Sequence, residues 1–272
     1  MKIAIQGELG SNSHMAAKAM LSDAAIVPCA VSAEVLARVV SGEADGAVLP
    51  IENSLHGSVA EHYDLLLELP VRIARESLRH IRHNVIAMPG VKFEEIRQVI
   101  SHPVALSQCR KFLAAHPKIE VVTFYDTAGS VKHLMAEGLR DVAGIAPELA
   151  AEEYGGEVLV RGIEDHAENF TRFHLIVRED APLVAEEGEP DKMSLAFVVE
   201  HRPGTLVAAL AELAAAGVDL TKIESRPVPG SPWEYVFYVD VRFRGMAQAD
   251  AALAGLSGSC RMVKVLGRYC AA

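Results

Sequence analysis

The sequence predicts an α/β protein with a mostly parallel sheet or sheets and a smaller domain appended to it. Predicted strands and helices alternate with short connections from Lys2 to Gly155, and several of the strands are almost continuously apolar. This pattern is typical of sheets covered by helices. The chain has 272 residues, of which 50% are hydrophobic and 23% charged, as expected for one large or two modest globular domains.

The first region is a series of strand–helix pairs. In order, KIAIQG precedes SHMAAKAMLSD, IVPCAV precedes SAEVLARVVSGEA, GAVLPIE precedes GSVAEHYDLLLEL, IRQVIS precedes PVALSQCRKFLAAH, EVVTFYD precedes TAGSVKHLMAEG, and VAGIA precedes PELAAEEYG.

A linker is predicted at residues 180–192, where DAPLVAEEGEPDK is acidic and contains two prolines. The predicted elements that follow have the order βαββαβ, which is the ferredoxin-like pattern. They are MSLAFVVE, PGTLVAALAELAAAG, LTKIESRPV, EYVFYVDVRF, QADAALAGLSGS and RMVKVLGRY.

Composition limits the ligands and the location. The net charge of -10 and the lack of a basic cluster argue against nucleic acid or an anionic membrane as partner, so we expect a small ligand. No run of about 18 apolar residues and no signal-peptide pattern occurs, and we expect a cytoplasmic protein. The four cysteines lack metal-ligand spacing, and we interpret them as reduced and mostly buried.

Polar residues occupy the points where predicted strands meet helices. Individually they fit helix N-caps, which accept hydrogen bonds from free backbone amides. Together they indicate several helix N-termini at one edge of a sheet, which would suit a small anion. The residues are Ser11, Asn12, Ser13, Asn53, Ser54, Ser101, Asp126 and Thr127.

Other kinds of active site have weaker support. QGELGSNS lacks the third glycine of a dinucleotide fingerprint, and neither a phosphate loop nor a GxSxG motif occurs. His14 and His102 lie near the polar joints and stay open as candidate bases. Glu52 and Glu61 could form a carboxylate pair, although a charged helix face explains Glu61 equally well.

The segment NFTRFHLIVRE, residues 169–179, has the body of a core strand. It nevertheless opens with the polar side chains of Asn169, Thr171 and Arg172. This segment, together with GSNSHMAA, VLPIENSLHGSV, SHPVALSQC and DTAGS, resembles the prephenate dehydratase family in order and spacing. The later segments PGTLV, KIESRPVPGSPWEYVFYVD and VKVLGRY resemble the regulatory ACT domain of that family. Asn12, Thr205 and the ending RYC depart from the family pattern, and Thr205 bears on regulation.

The resemblance implies a fold. The catalytic region, residues 1–182, would have two lobes similar to a type II periplasmic binding protein. Lobe 1 would comprise about 1–76 and 163–182, lobe 2 about 77–162, and the ACT domain 193–272. The polar start of NFTRF would then face the cleft between the lobes.

The resemblance also implies the chemistry, which is the loss of CO2 and water from prephenate to give phenylpyruvate. Aromatisation drives this reaction without an electron sink, so no cofactor or metal is expected. Thr171 would donate to the departing hydroxyl as the catalytic residue. The implied substrate-binding residues are Asn53, Ser54, Ser101, Gln108, Thr127 and Arg172, although strand alternation favours a bracing role for Arg172 if Thr171 faces the cleft.

Feedback by L-phenylalanine is implied through the ACT domain, together with homodimers or homotetramers. The implied effector residues are Gly204, Thr205, Leu206, Glu224, Ser225 and Arg226. Two alternatives stay open, an arogenate dehydratase and a non-catalytic amino-acid sensor. The complete NFTRF and PIENS segments disfavour the sensor.

Overall fold

The computed structural model describes residues 1–182, 188–228 and 233–272. Contacts divide the chain into two compact units. The first is Met1–Ser58 with Leu78–Phe173, and the second is Val59–Ser77 with His174–Ala272.

The described elements follow one another in this order: β1 (Lys2–Gln6), α1 (Asn12–Met20), β2 (Ala25–Cys29), α2 (Ser32–Ser41), β3 (Gly46–Asn53), β4 (Gly57–Ser58), α3 (Ala60–Glu68), β5 (Val71–His80), β6 (Asn84–Ala87), a 3-10 turn (Phe93–Glu95), β7 (Gln98–Ser101), α4 (Pro103–Ser107), α5 (Arg110–Ala115), β8 (Glu120–Thr123), α6 (Thr127–Glu137), β9 (Val142–Ala146), α7 (Glu148–Tyr154), β10 (Glu157–Val160), β11 (Phe170–Arg178), β12 (Lys192–Val198), α8 (Thr205–Ala215), β13 (Asp219–Pro227), β14 (Tyr235–Arg242), α9 (Met246–Ser259) and β15 (Met262–Tyr269).

The first unit contains two groups of strands, one for each lobe. In the first lobe β1 pairs in parallel with β2 and β3, and the beginning of β11 lies next to β3. In the second lobe the order is β10-β6-β9-β7-β8, with β7 parallel to β8 and β9. The predicted α/β class is confirmed, whereas the pairing is mixed rather than mostly parallel, because β10–β6, β6–β9 and β3–β4 are antiparallel. The apolar side chains of Ile3, Ile5 and Leu49 are fully buried, and burial of each contributes roughly 1.5–3 kcal/mol.

One predicted helix is wrong. PVALSQCRKFLAAH forms two helices, α4 and α5, separated at Gln108 and Cys109. Asp165 explains the break, because its backbone N–H donates to the Gln108 carbonyl at 2.6 Å and its carboxylate accepts from the N–H groups of Arg110 and Lys111. A carboxylate from a distant segment therefore caps α5 and competes with the continuous helix.

The second unit contains the predicted βαββαβ domain. Its strands have the order β13-β14-β12-β15, and β15 pairs in parallel with β5 at Gly267 and Ile73. A Cβ atom on Gly267 would clash with the backbone of Ile73, so this pairing requires glycine. The core under α8 and α9 includes the buried Leu195, Phe197 and Val239.

Helix α3 also lies in the second unit and contacts strands of the βαββαβ domain. Asp64 accepts a hydrogen bond from Arg226 of β13 at 2.7 Å, and the rings of Tyr63 and Tyr238 are 5.1 Å apart. Lys264 of β15 donates to three carbonyls at the C-terminal end of α3, those of Leu66, Leu67 and Leu69. These carbonyls lack partners within the helix, so Lys264 caps it.

Part of the predicted linker, residues 183–187, and residues 229–232 of the ACT resemblance lie outside the described residues. The predicted boundaries, including the two lobes and the start of the ACT domain at 193, stay predictions. Across the described ranges, no helix combines the length and the apolar composition needed to cross a membrane.

Candidate active site

The hydroxyl of Thr171 is held by the side-chain amide of Asn53. Asn53 follows the buried body of β3, and Thr171 is the second residue of β11. The Asn53 Nδ2 atom donates to Thr171 Oγ1 at 2.9 Å, and it also lies 2.8 Å from Asn169 Oδ1 and 3.1 Å from the Phe170 carbonyl. Because an amide has only two hydrogens, three acceptors in this position use its donor capacity fully.

The backbone fixes which way the Asn53 amide points. The N–H groups of Leu55 and His56 both donate to Asn53 Oδ1 at 3.0 Å, in the turn that follows β3. An atom that accepts from two backbone N–H groups must be the oxygen, so the other atom is the nitrogen. Thr171 Oγ1 therefore accepts from Asn53, and no acceptor for its own hydrogen is found among the described residues.

The same reasoning assigns the orientation of the next two amides. Asn169 presents Oδ1 to Asn53, so its Nδ2 donates to Gln108 Oε1 at 3.0 Å. Gln108 Oε1 also lies 2.7 Å from His83 Nε2, and Gln108 Nε2 lies 3.1 Å from His56 Nδ1. Asn169 is fully buried and Gln108 is 5% exposed, so solvent does not replace these bonds.

A second backbone group fixes the other end of the chain of hydrogen bonds. The Ser107 hydroxyl donates to the Val104 carbonyl at 2.7 Å, so its oxygen accepts from His56 Nε2 at 3.1 Å. His56 Nδ1 then accepts from Gln108 Nε2. The hydrogen bonds that start from Asn53 and those that start from Ser107 therefore require the same orientation of the Gln108 amide.

The other predicted substrate-binding residues have different surroundings. Ser54 donates to the Glu168 carbonyl at 3.3 Å and accepts from the Phe170 N–H at 3.0 Å. Ser101 is fully buried and donates to the Ile145 carbonyl at 2.6 Å. Thr127 is the first residue of α6. No contact of Ser101 or Thr127 with the Thr171 group is found among the described residues, and their binding roles stay predictions.

Arg172 forms an ion pair with Glu52, with Nη2 2.9 Å from Oε2. The arginine side chain is 11% exposed. This pairing agrees with the bracing role that strand alternation favours and supplies a partner for the candidate acid Glu52. Glu61 is exposed on α3, as expected for a charged helix face.

The N-cap residue of α6 lies close to Gly7, in the loop that precedes α1. Ser11 caps α1 and Asp126 caps α6. A Cβ atom on Gly7, which has φ of 92°, would lie 2.6 Å from Asp126 Oδ2, so the close approach requires glycine. Burial raises the pKa of Asp126.

The two candidate histidine bases have structural partners. His14 Nδ1 accepts from the Gly10 N–H at 3.0 Å, and burial lowers the pKa of His14. His102 Nδ1 accepts from the Val104 N–H at 3.3 Å and caps α4. Both fit the alternative interpretation of hydrogen-bonded histidines.

The βαββαβ domain contains a separate cavity of about 370 Å³. Gly204, Thr205 and Leu206 line it, together with apolar residues that include Trp233 and Phe237. The other three predicted effector residues are not part of its lining: Ser225 is exposed, the Glu224 carboxylate is 3.8 Å from Lys222 Nζ, and Arg226 pairs with Asp64. Thr205 Oγ1 lies 2.7 Å from the Glu200 carbonyl and 2.9 Å from that of Arg202, which closes the loop before α8.

Sequence reasoning missed His83 and gave His56 and Asn169 no role in the site. The predictive signal for His56 and Asn169 was present, because both lie inside the family-like segments PIENSLHGSV and NFTRF. His83 lies outside all of these segments. In the part of the chain that is described, no cluster of three or more His, Cys, Asp or Glu side chains could hold a metal ion.

Comparisons with known proteins identify the family of this chain. The family described as prephenate dehydratase matches residues 3–181, and the ACT domain matches residues 193–252. Arogenate dehydratase/prephenate dehydratase 2, chloroplastic, from Arabidopsis thaliana is 38% identical over 282 residues, which cover 99% of this chain and 72% of that protein.

Two solved structures are similar along the whole chain. Prephenate dehydratase from Arthrobacter aurescens in complex with L-Phe is 32% identical with a TM-score of 0.89, covering 100% of this chain and 90% of that one. GqqA, described as a novel type of quorum quenching acylase, is 33% identical with a TM-score of 0.90, covering 100% and 98%. On the match of residues 3–181 and the near-complete likeness to these relatives, the chain belongs to the prephenate dehydratase family.

Proposed function

We propose that this protein converts prephenate to phenylpyruvate, CO2 and water. The observation that carries the proposal is the orientation of Thr171. Its oxygen accepts from Asn53 and its hydrogen stays available, so the hydroxyl can donate to a leaving group.

The reaction needs a donor rather than a base. The bond between the ring and its carboxylate breaks, its electron pair enters the ring, and the carbon–oxygen bond opposite breaks as the ring becomes aromatic. Hydroxide leaves with the electrons of that bond and takes up a proton to become water. A hydrogen bond from Thr171 that strengthens as negative charge grows on the departing oxygen would lower this barrier.

Donor hydrogens that are not used in hydrogen bonds within the protein suit the two carboxylates of prephenate. Gln108 Nε2 gives one hydrogen to His56 and keeps a second. Leu55 and Val104 are apolar and 41% and 40% exposed, beside the segments that supply Asn53 and Ser107. We propose that these residues contact the substrate ring.

Purified protein supplied with prephenate, arogenate or an N-acyl amide tests the assignment. We expect phenylpyruvate from prephenate as the main product. Phenylalanine from arogenate at a higher kcat/KM would assign the protein to the second substrate, and no turnover of either would support the sensor alternative.

The acylase chemistry named for GqqA is not favoured by the serines near Thr171. An acylase needs a nucleophile beside a base or an activated water. The hydroxyl hydrogens of Ser54, Ser101 and Ser107 all go to backbone carbonyls. Release of a fatty acid from an N-acyl amide would overturn this argument.

We propose that L-phenylalanine inhibits the enzyme through the ACT domain. The cavity at Gly204 has the size of small-molecule sites, and the N-terminus of α8 offers N–H groups for a carboxylate. Leu206 and Phe237 supply an apolar lining for a ring. Inhibition requires that the effector bind one state more tightly than the other.

Helix α3 connects the ACT strands with the Asn53 turn along the chain. Arg226 holds Asp64 of α3, and α3 follows the Asn53 turn directly along the chain. We propose that effector binding changes the pairing of Arg226 with Asp64 and shifts the turn.

We propose that copies of this chain pair through the edge of the ACT strands. Strand β13 forms one edge of the ACT strands, where Ile223 is 44% exposed, and an exposed apolar edge suits pairing of two copies into homodimers or homotetramers. A cytoplasmic location stays a prediction, since the Arabidopsis relative is named as chloroplastic.

A further inference from the structure

His83 is a buried histidine that hydrogen-bonds to Gln108, one of the side chains connected to Thr171 through hydrogen bonds. It is 2% exposed, and its Nε2 lies 2.7 Å from Gln108 Oε1. Its backbone is fixed independently, because its N–H donates to Glu164 Oε2 at 3.0 Å and its carbonyl accepts from the Ile163 N–H at 3.0 Å. Two backbone hydrogen bonds therefore hold the segment that places the ring against Gln108.

The surroundings determine the tautomer of this histidine. Gln108 Oε1 is an acceptor, as the direction of the Asn169 amide requires, so His83 Nε2 carries the hydrogen. Nδ1 is buried and has no hydrogen-bond partner among the described residues. Burial lowers the pKa of His83 and keeps the ring neutral, although Gln108 and Glu164 oppose this shift.

We infer that His83 is a positioning residue for the dehydration: its Nε2–H holds the oxygen of Gln108 inward, and so maintains the direction of the hydrogen bonds that run through Asn169 and Asn53 to Thr171. This inference rests on the proposed function and adds to it a residue that does not touch the substrate.

The reversed amide shows what His83 prevents. Rotation of Gln108 by 180° would place its nitrogen against the donor Nδ2 of Asn169, now 3.0 Å from Oε1, and its oxygen against the acceptor Nδ1 of His56. Asn169 would then have to rotate and present a donor to Asn53, which already donates. Loss of one N–H therefore weakens the orientation of the Thr171 hydroxyl four side chains away.

The first test removes the donor and keeps the ring. We expect His83→Phe to lower kcat by about 10- to 100-fold with little change in KM, the effect of small misplacement of a reacting group. His83→Gln restores an amide donor and should recover most of the loss. His116→Phe is the matched control, since His116 contacts Phe93 and Phe112 away from this site, and its kcat should stay within about twofold of wild type.

The effect of His83→Phe in the Thr171→Ala variant distinguishes positioning of Thr171 from a general loss of structure. If His83 acts through Thr171, adding His83→Phe to Thr171→Ala should lower the residual kcat by less than about twofold. The same fractional loss in both backgrounds would mean a merely structural role and overturn the inference, as would a wild-type kcat in His83→Phe.

A spectroscopic test is independent of activity. Imidazole nitrogen shifts of the full-length wild-type protein, assigned by comparison with His83→Gln, should show a neutral His83 with hydrogen on Nε2. Hydrogen on Nδ1 would overturn the inference even if prephenate is the substrate. If the Nε2–H tautomer is observed but prephenate is not turned over, the orientation of Gln108 is supported and the proposed reaction is what fails.

Discussion

Asn53→Asp should disable Thr171 without removing it. The substitution replaces Nδ2 by a carboxylate oxygen and keeps the oxygen that accepts from Leu55 and His56. The new oxygen would face Thr171 Oγ1 at about the present 2.9 Å. Two oxygens at this distance need a hydrogen between them, so the Thr171 hydroxyl would turn and donate to the new carboxylate, away from the substrate.

The magnitude follows from the strength of that new bond. A hydrogen bond to an ionised oxygen is roughly twice as strong as one between neutral groups, so the hydroxyl would rarely turn back. The kcat should fall as far as it does in Thr171→Ala, by at least about 100-fold, which is about 2.7 kcal/mol. Repulsion from Asn169 Oδ1 and the Phe170 carbonyl should also lower the free energy of unfolding by about 1–3 kcal/mol.

The assay is a double-mutant cycle in phenylpyruvate formation. Because both single variants remove the same donation, Asn53→Asp with Thr171→Ala should be no more than about threefold below the slower single variant. Independent effects would multiply to about 10⁴-fold. Asn84→Asp is the matched control, since Asn84 is a buried asparagine that bonds Ala146 and Gly162 and lies outside this chain of bonds. Multiplicative losses, or a near-normal kcat in folded Asn53→Asp, would refute the reasoning.

Three further predictions concern stability, cofactors and regulation. Burial opposes ionisation of Glu76, but hydrogen bonds and charges from His174 and Lys192 outweigh it and hold the pKa well below the ordinary 4.5. The unfolded chain then takes up a proton as the pH falls through about 4.5, so the free energy of unfolding should decrease as the pH falls below that value. In denaturant titrations, Glu76→Gln should show a shallower acid dependence and a free energy of unfolding about 3–5 kcal/mol lower at pH 7. Dialysis against a chelator should leave kcat within about twofold, and activity restored only by a divalent ion would contradict the expected cofactor-free reaction. Asp64→Asn should weaken inhibition by phenylalanine by about tenfold or more while calorimetry still detects binding, whereas Glu61→Gln on the exposed face of α3 should not; equal inhibition in both would exclude the proposed route.

Full-length variants test regulation better than truncation does. Truncation near residue 182 is the simplest test that the sequence suggests. In the second unit, however, the ACT strands supply Lys192 for Glu76 and Arg226 for Asp64, and β15 pairs with β5. Truncation would leave Glu76, which is 4% exposed, as a buried carboxylate without its ammonium partner.

The fold was predictable where periodicity was strong. Strands such as KIAIQG and the whole βαββαβ order were identified because apolar runs and glycine boundaries agree. β5 was missed because VRIARESLRH contains four charged residues in ten, and β6 and β10 were missed because they are short and are not part of a strand–helix pair in the sequence pattern. The break at Gln108 was missed because its cause, Asp165, lies far along the chain.

The candidate site was predictable as a set of residues but not as an arrangement. Motif resemblance indicated Thr171, Asn53 and Gln108. It could not show that Asn53 donates its hydrogens to protein acceptors, because amide orientation depends on backbone N–H groups that only the folded turn brings together. His83 could not be predicted, because a single histidine after a charged strand gives no sequence signal that it hydrogen-bonds to Gln108.

The most direct test of the account is the turnover of prephenate by wild type, Thr171→Ala and Thr171→Ser under identical conditions. We expect wild type to form phenylpyruvate, Thr171→Ala to be at least about 100-fold slower in kcat with nearly unchanged KM, and Thr171→Ser, which keeps the hydroxyl, to retain much of the rate. A folded Thr171→Ala variant with a kcat near that of wild type would contradict the claim that this oriented hydroxyl assists the departure of the leaving group.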